Sequence, residues 1–173
     1  MQRLSESCNL ETGKHIMSSS CCSYPKKRLH ALKNIYEKDG IQAFVRIIQE
    51  DRKKRILWAL GYDENLLRKA EHEPWYLSPT LEEDNTIAVT TIPYHIRDYM
   101  NAKTRREKQL RYCHCGWVNA GLEPISAPFC YCGAGYHQQL LEGIFDRPVK
   151  VSIIQTFMHG ADFCRFSCKI PMV

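Results

Sequence analysis

The sequence predicts an α+β fold, with helices through its N-terminal half and an antiparallel sheet with one helix in its C-terminal half. Three observations carry this expectation. Across most of residues 25–112 the apolar side chains recur at three- and four-residue spacing, the period of a helix buried along one side. Residues 149–157 and 163–170 alternate instead, and the short loop Met158-His159-Gly160-Ala161-Asp162 joins them as a hairpin would. Finally, 173 residues with 44% hydrophobic and 25% charged content suffice for one ordinary globular core.

Residues 1–24 are polar, serine-rich and without periodicity, and read as a loosely ordered lead that carries Cys8, Cys21 and Cys22. Residues 25–173 read as a single α+β domain, mostly helical over 25–112 and a cysteine-rich helix-plus-hairpin part over 113–173. Leu29, Leu32 and Tyr36 share the first helical face, and Gly40 marks a break. Ile41, Phe44, Val45 and Ile48 start a second row that continues through Ile56, Ala59 and Leu60 to Gly61. The run Arg52-Lys53-Lys54-Arg55 lies inside it, spreads around the helix axis, and reads as a solvated face rather than a phosphate patch. No short turn followed by a recognition helix is present. Residues 63–70 form a short helix with an acidic cap, and 73–85 form a loop anchored by Trp75 and Tyr76. The β-branched residues 86–92 form a strand ended by Pro93. Residues 96–112 return to helix, with a basic outer face of Lys103, Arg105, Arg106, Lys108 and Arg111.

A net charge of +5 permits a nucleic-acid partner without demanding one. No apolar run approaches the roughly 20 residues that cross a bilayer, and the first residues lack the apolar region of a secretory signal. The expected location is cytoplasmic, where thiols stay reduced or metal-bound, and a homodimer is allowed. Nine cysteines, an odd number, argue against a complete disulfide framework.

Function concentrates in residues 112–143, YCHCGWVNAGLEPISAPFCYCGAGYHQQLLEG. Two Cys-x-Cys pairs, Cys113/Cys115 and Cys130/Cys132, each precede a glycine, Gly116 and Gly133, and His114 and His137 stand beside them. Thiols at such density share a metal, form disulfides or do chemistry. Two residues apart on an extended chain, side chains stand roughly 6–7 Å apart. Facing one ion therefore needs a turn, which the glycines would allow. Four thiolates would close a structural zinc site, and three with a water would leave an open one. The alternative is a set of free thiols lining a pocket. From Ala134 onward Tyr136, Leu140 and Ile144 fall on one helical row, so Cys132 sits near a helix start. There the exposed amides favour a thiolate, and Cys132 becomes a candidate ligand or nucleophile. Cys168 shares an apolar strand face with Cys164, Phe166 and Ile170 and reads as a core residue, whereas Cys164 lies closer to the loop.

The segment FCYCGAGYHQQLLEGIFDRPVKVSIIQTFMHGADFCRFSCKI, about a quarter of the chain, resembles the C-terminal part of the 4-vinyl reductase domain family. The correspondence runs through Cys130 or Cys132, a helix over 135–145, a strand over 149–157, Gly160 with Asp162, and the closing Cys164-Arg165-Phe166. It is similar also to 2-amino-thiazoline-4-carboxylate hydrolase-like proteins, which share this helix–strand–turn–strand ending. The first resemblance implies a sheet and helices enclosing a pocket for a small hydrophobic or aromatic ligand, and in some members zinc held by cysteines. On this reading Tyr112, Trp117, Phe129, Tyr131 and Tyr136 flank the ligand. The metal donors come from Cys113, Cys115, Cys130, Cys132 and Cys164. The chain departs from the family at 156–159, Thr-Phe-Met-His, which lacks a further cysteine that Cys113/Cys115 would replace. The second resemblance implies a cysteine-dependent hydrolase of a small cyclic C–N or C–S compound. In it Cys132 attacks, His137 or His114 moves protons, and Arg111 holds a carboxylate.

Overall fold

The computed structural model describes residues 9–115, 118 and 127–170, and within them the α+β expectation is met. Helix α1 (Leu10–Ser19) leads into the long α2 (Lys26–Ala59), followed by α3 (Glu64–Ala70). Strands β1 (Thr80–Glu82) and β2 (Thr86–Thr90) come next, then helices α4 (Ile96–Asn101) and α5 (Arg105–Tyr112). The C-terminal part holds α6 (Tyr131–Phe145) and the hairpin β3 (Lys150–Gln155) and β4 (Arg165–Lys169). The four strands form one antiparallel sheet in the order β1-β2-β4-β3.

The break expected at Gly40 is present, because its backbone takes φ 81° and ψ −179°, a conformation that only glycine adopts without strain. Asp63 caps α3 by accepting from the amides of Asn65 and Leu66. The helix expected over 96–112 is instead two helices. Thr104 Oγ1 accepts from Glu107 N at 3.1 Å while Glu107 Oε2 accepts from Thr104 N at 3.2 Å. This reciprocal box starts a new helix, and the Thr-x-x-Glu spacing that announces it is legible in the sequence.

The lead differs from expectation as well. Residues 10–19 are helical, capped by Asn9, whose Oδ1 accepts from Thr12 N at 2.8 Å. The reason periodicity misses α1 is that close backbone approach seats it on α6 rather than an apolar stripe. A side chain at Gly135 would run into the Ser18 carbonyl, with Ser18 Cα at 2.7 Å. Beyond α1, Tyr24 N donates to Gln139 Oε1 at 3.3 Å, so the segment carrying Cys21 and Cys22 lies along α6.

Two buried clusters form the interior. The larger joins α2, α6 and the sheet through Leu32, Phe44, Ile87, Leu141, Ile144 and Phe166. The other lies under the C-terminal end of α2 and is built from Ile56, Leu60, Trp75, Ile96, Tyr112 and Phe157. Cys164 packs against both, so the cysteine region sits at their junction. Among the described residues no helix is long and apolar enough to cross a membrane.

Candidate functional site

Five thiols reach the junction from three parts of the chain. Cys113 and Cys115 follow α5, Cys130 and Cys132 lie at the start of α6, and Cys164 immediately precedes β4. The first pair closes on itself: Cys115 N donates to Cys113 Sγ at 3.4 Å, and the two thiols hydrogen-bond each other. The second pair does not turn. Cys130 ends the short 3₁₀ segment Ala127–Cys130, and Cys132 is already inside α6. Gly133 is helical as well, so its role differs from the expected turn. An added Cβ there would meet Phe166 Cζ at 2.9 Å, and the glycine lets α6 lie close on β4. Gly116 and Trp117 lie outside the described residues.

The thiols sense one another. Cys115 acts on both Cys130 and Cys132, Cys130 and Cys132 act on Cys164, and Cys21 and Cys22 act on Cys132. Burial is the largest cause raising Cys130, Cys132 and Cys164, and neighbouring thiols add to it. Cys132 is pushed up to about 11 and Cys164 to about 12. Cys113 is raised above all by its bond to Cys115 and then by burial. Phe157 N donates to Cys164 Sγ at 3.4 Å, which offsets part of the burial effect there. No cation figures among the groups acting on Cys113, Cys130, Cys132 and Cys164, so these four remain protonated near neutral pH. Among the described residues no three His, Cys, Asp or Glu side chains gather as ligands of one metal ion. A zinc ion would have to draw the thiols together and displace their protons. Cys168 is fully buried in the sheet core, as its strand face predicts.

Arg52 of α2 acts on His137 and Tyr136 of α6 and on Tyr24. Arg52 projects from α2 and its Nη1 donates to Ser78 O at 3.2 Å and Thr90 O at 2.8 Å. Protein surrounds it so closely that burial lowers it to about 10, yet it keeps accessible surface. Arg52 is therefore partly buried rather than sealed in a core. His137 on α6 is the same: enclosed, partly accessible, and lowered by burial to about 3, with Arg52 and His114 pushing the same way. It is neutral at physiological pH. Its ring stands 5.0 Å from Phe166 and 5.7 Å from Tyr136, and it makes no hydrogen bond among the described residues. His114 lies 2.8 Å through Nε2 from Ile92 O and is lowered chiefly by burial. Tyr24 and Tyr136 form an aromatic wall, centroids 5.6 Å apart, and both phenols are raised first by burial.

The other expected ligand residues fare differently. The Tyr112 hydroxyl donates to Thr91 O at 2.6 Å and accepts from Cys164 N at 2.9 Å, and its ring stacks on Phe157. Tyr112 therefore holds Cys164 in place and has its polar atom already used. Tyr131 receives Lys14 over its ring at 5.4 Å, and Phe129 is half-buried at the foot of α6. Arg111 is exposed and acts on Glu107 one turn back. Arg52, which the charge-run reading assigned to solvent, is the arginine at the junction. Its position could have been found, since Ile48, Arg52 and Ile56 lie on one row at four-residue spacing. A separate shallow cleft of about 230 Å³ near Trp58, Tyr94 and Arg97 contains none of the expected site residues.

No protein-family model matches the chain, and comparison with curated proteins and with solved structures gives no match.

Proposed function

We propose that this protein is a small-molecule-binding, sensor-like module, whose site is the recess between the C-terminal half of α2 and the start of α6. The single observation that carries this reading is the enclosed yet accessible state of Arg52 and His137 at the junction of two cores. Side chains facing a filled interior lose their accessible surface, whereas those lining a concave site retain some. In this reading Tyr24 and Tyr136 supply apolar walls, and the protonated, partly buried thiols of Cys130, Cys132 and Cys164 are small, polarizable neighbours.

A cysteine hydrolase is the second reading, supported by the placement of Cys132 and His137 on the same helix start. It asks Cys132 to give up its proton near neutrality, against burial that pushes it up to about 11. It also asks a base of His137, which burial lowers to about 3. Binding makes neither demand.

Titration of the protein with phenol and with indole, followed by NMR, tests the binding reading. Expected are shifts at the His137 and Tyr136 side chains and at the amides of residues 130–132. Cys132→Ser should keep the same affinity within about threefold, since a protonated wall thiol contributes contact rather than chemistry. Probes that perturb none of these resonances would remove the recess as a binding site.

A further inference from the structure

Among the described residues no carboxylate neutralises Arg52. Arg52 feels Tyr112, Tyr136, Tyr24 and a second cation, Arg55, and no carboxylate figures among these groups. An enclosed charge usually has an ionic partner, because desolvation without one is costly. Among the described residues Arg52 has none, although two other cations of the same helix do: Arg28 pairs with Asp51, and Lys33 with Asp146.

The hydrogen-bond geometry is equally uneven. Both acceptors found for Arg52 sit on Nη1, the carbonyls of Ser78 and Thr90. Among the described residues nothing accepts from Nε or Nη2, and neither atom is a sealed, unpartnered nitrogen, so that edge keeps some accessible surface. The Nη1 bonds fix the guanidinium plane against the loop before β1 and the end of β2. A planar fork held from behind with a free edge is suited to a carboxylate, which takes two parallel N–H donors. Tyr24 and Tyr136, whose rings tilt against each other, both act on Arg52, and His137, neutral and without a hydrogen bond among the described residues, can donate or accept one.

We propose that the ligand of this recess is a small aromatic or apolar carboxylate, whose charge is read by the free edge of Arg52 and whose body lies along Tyr24 and Tyr136. This rests on the binding reading above and adds the chemical class of the ligand.

The test uses calorimetric titration of the full chain at pH 7 and low salt. Benzoate and phenylacetate are compared with their neutral amides, benzamide and phenylacetamide. The acids should bind about tenfold or more tightly than the amides, the margin of a charge-assisted hydrogen bond. Arg52→Gln should bring each acid to its amide's affinity, and Arg52→Lys should retain charge but lose part of the margin. The comparison within the unsubstituted protein decides even where Arg52→Gln does not fold. Amides binding as well as acids would overturn the anion inference and leave a neutral-ligand site standing. Acid preference surviving in a folded Arg52→Gln would overturn the role of Arg52. Failure of all four compounds would overturn the carboxylate inference together with the binding reading.

Discussion

Acidification from pH 7 to pH 4 should destabilise the protein by an amount on the order of a few kcal/mol, and replacement of His137 should remove much of that loss. In the folded chain His137 is lowered by burial to about 3, from an ordinary value of 6.5. Between those values the unfolded chain takes up a proton that the folded chain refuses. The stability that depends on the neutral ring is therefore complete above about 6.5 and declines as pH falls towards 3. Each pH unit within the window contributes up to ~1.4 kcal/mol. Arg52 and His114 strengthen the effect, since both disfavour charge on the ring. Urea denaturation at pH 7, 5.5 and 4 measures the slope in the wild type and in His137→Gln. A shallower slope in the variant is expected, and identical slopes would assign the acid sensitivity elsewhere.

The second large effect concerns α1. Gly135→Ala places a methyl group against the Ser18 backbone, which has no side-chain rotamer to move out of the way. Overpacking of this kind costs about 1–3 kcal/mol, or is relieved by α1 swinging away from α6. In either case amide protection over Leu10–Ser19 should collapse while β2 and β4 keep theirs, because the atoms nearest the added methyl all belong to Ser18 of α1. Hydrogen exchange reads this directly. Unchanged protection in α1 would mean that the helix is held by something other than the close approach at Gly135. The loss should also loosen the segment with Cys21 and Cys22, pinned to α6 through Tyr24 and Gln139.

Much of this architecture is legible in the residues. The row Tyr136, Leu140, Ile144 announces α6, although the helix begins at Tyr131, three residues earlier than the apolar spacing shows. Alternation announces β3 and β4, and Gly40 announces the break in α2. The convergence of Cys113, Cys115, Cys130, Cys132 and Cys164 at one junction also follows from their density and the hairpin that returns Cys164. Three features are hidden for physical reasons. Arg52 stands in a basic run, and a cation on an apolar row is easily assigned to solvent when its burial depends on carbonyls at Ser78 and Thr90, distant in sequence. Helix α1 is held by a glycine contact that carries no hydrophobic signature. Gly133 has the look of a turn residue, but its missing side chain serves Phe166 on a strand thirty-odd residues later. Each is a tertiary relation, set by what lies opposite rather than by neighbours in the chain.

The same distinction governs the thiols. Their spacing suggests activated groups, while burial and neighbouring thiols hold Cys130, Cys132 and Cys164 protonated, the state that the proposed binding reading asks of them. The measurement that separates these states is the rate of Cys132 alkylation by iodoacetamide as a function of pH in the native protein, read by mass spectrometry of the labelled peptide. A rate that is slow at pH 7 and rises towards a midpoint near 11 is expected. A midpoint below about 8, with Cys132 the fastest thiol, would contradict the passive wall and restore the nucleophile.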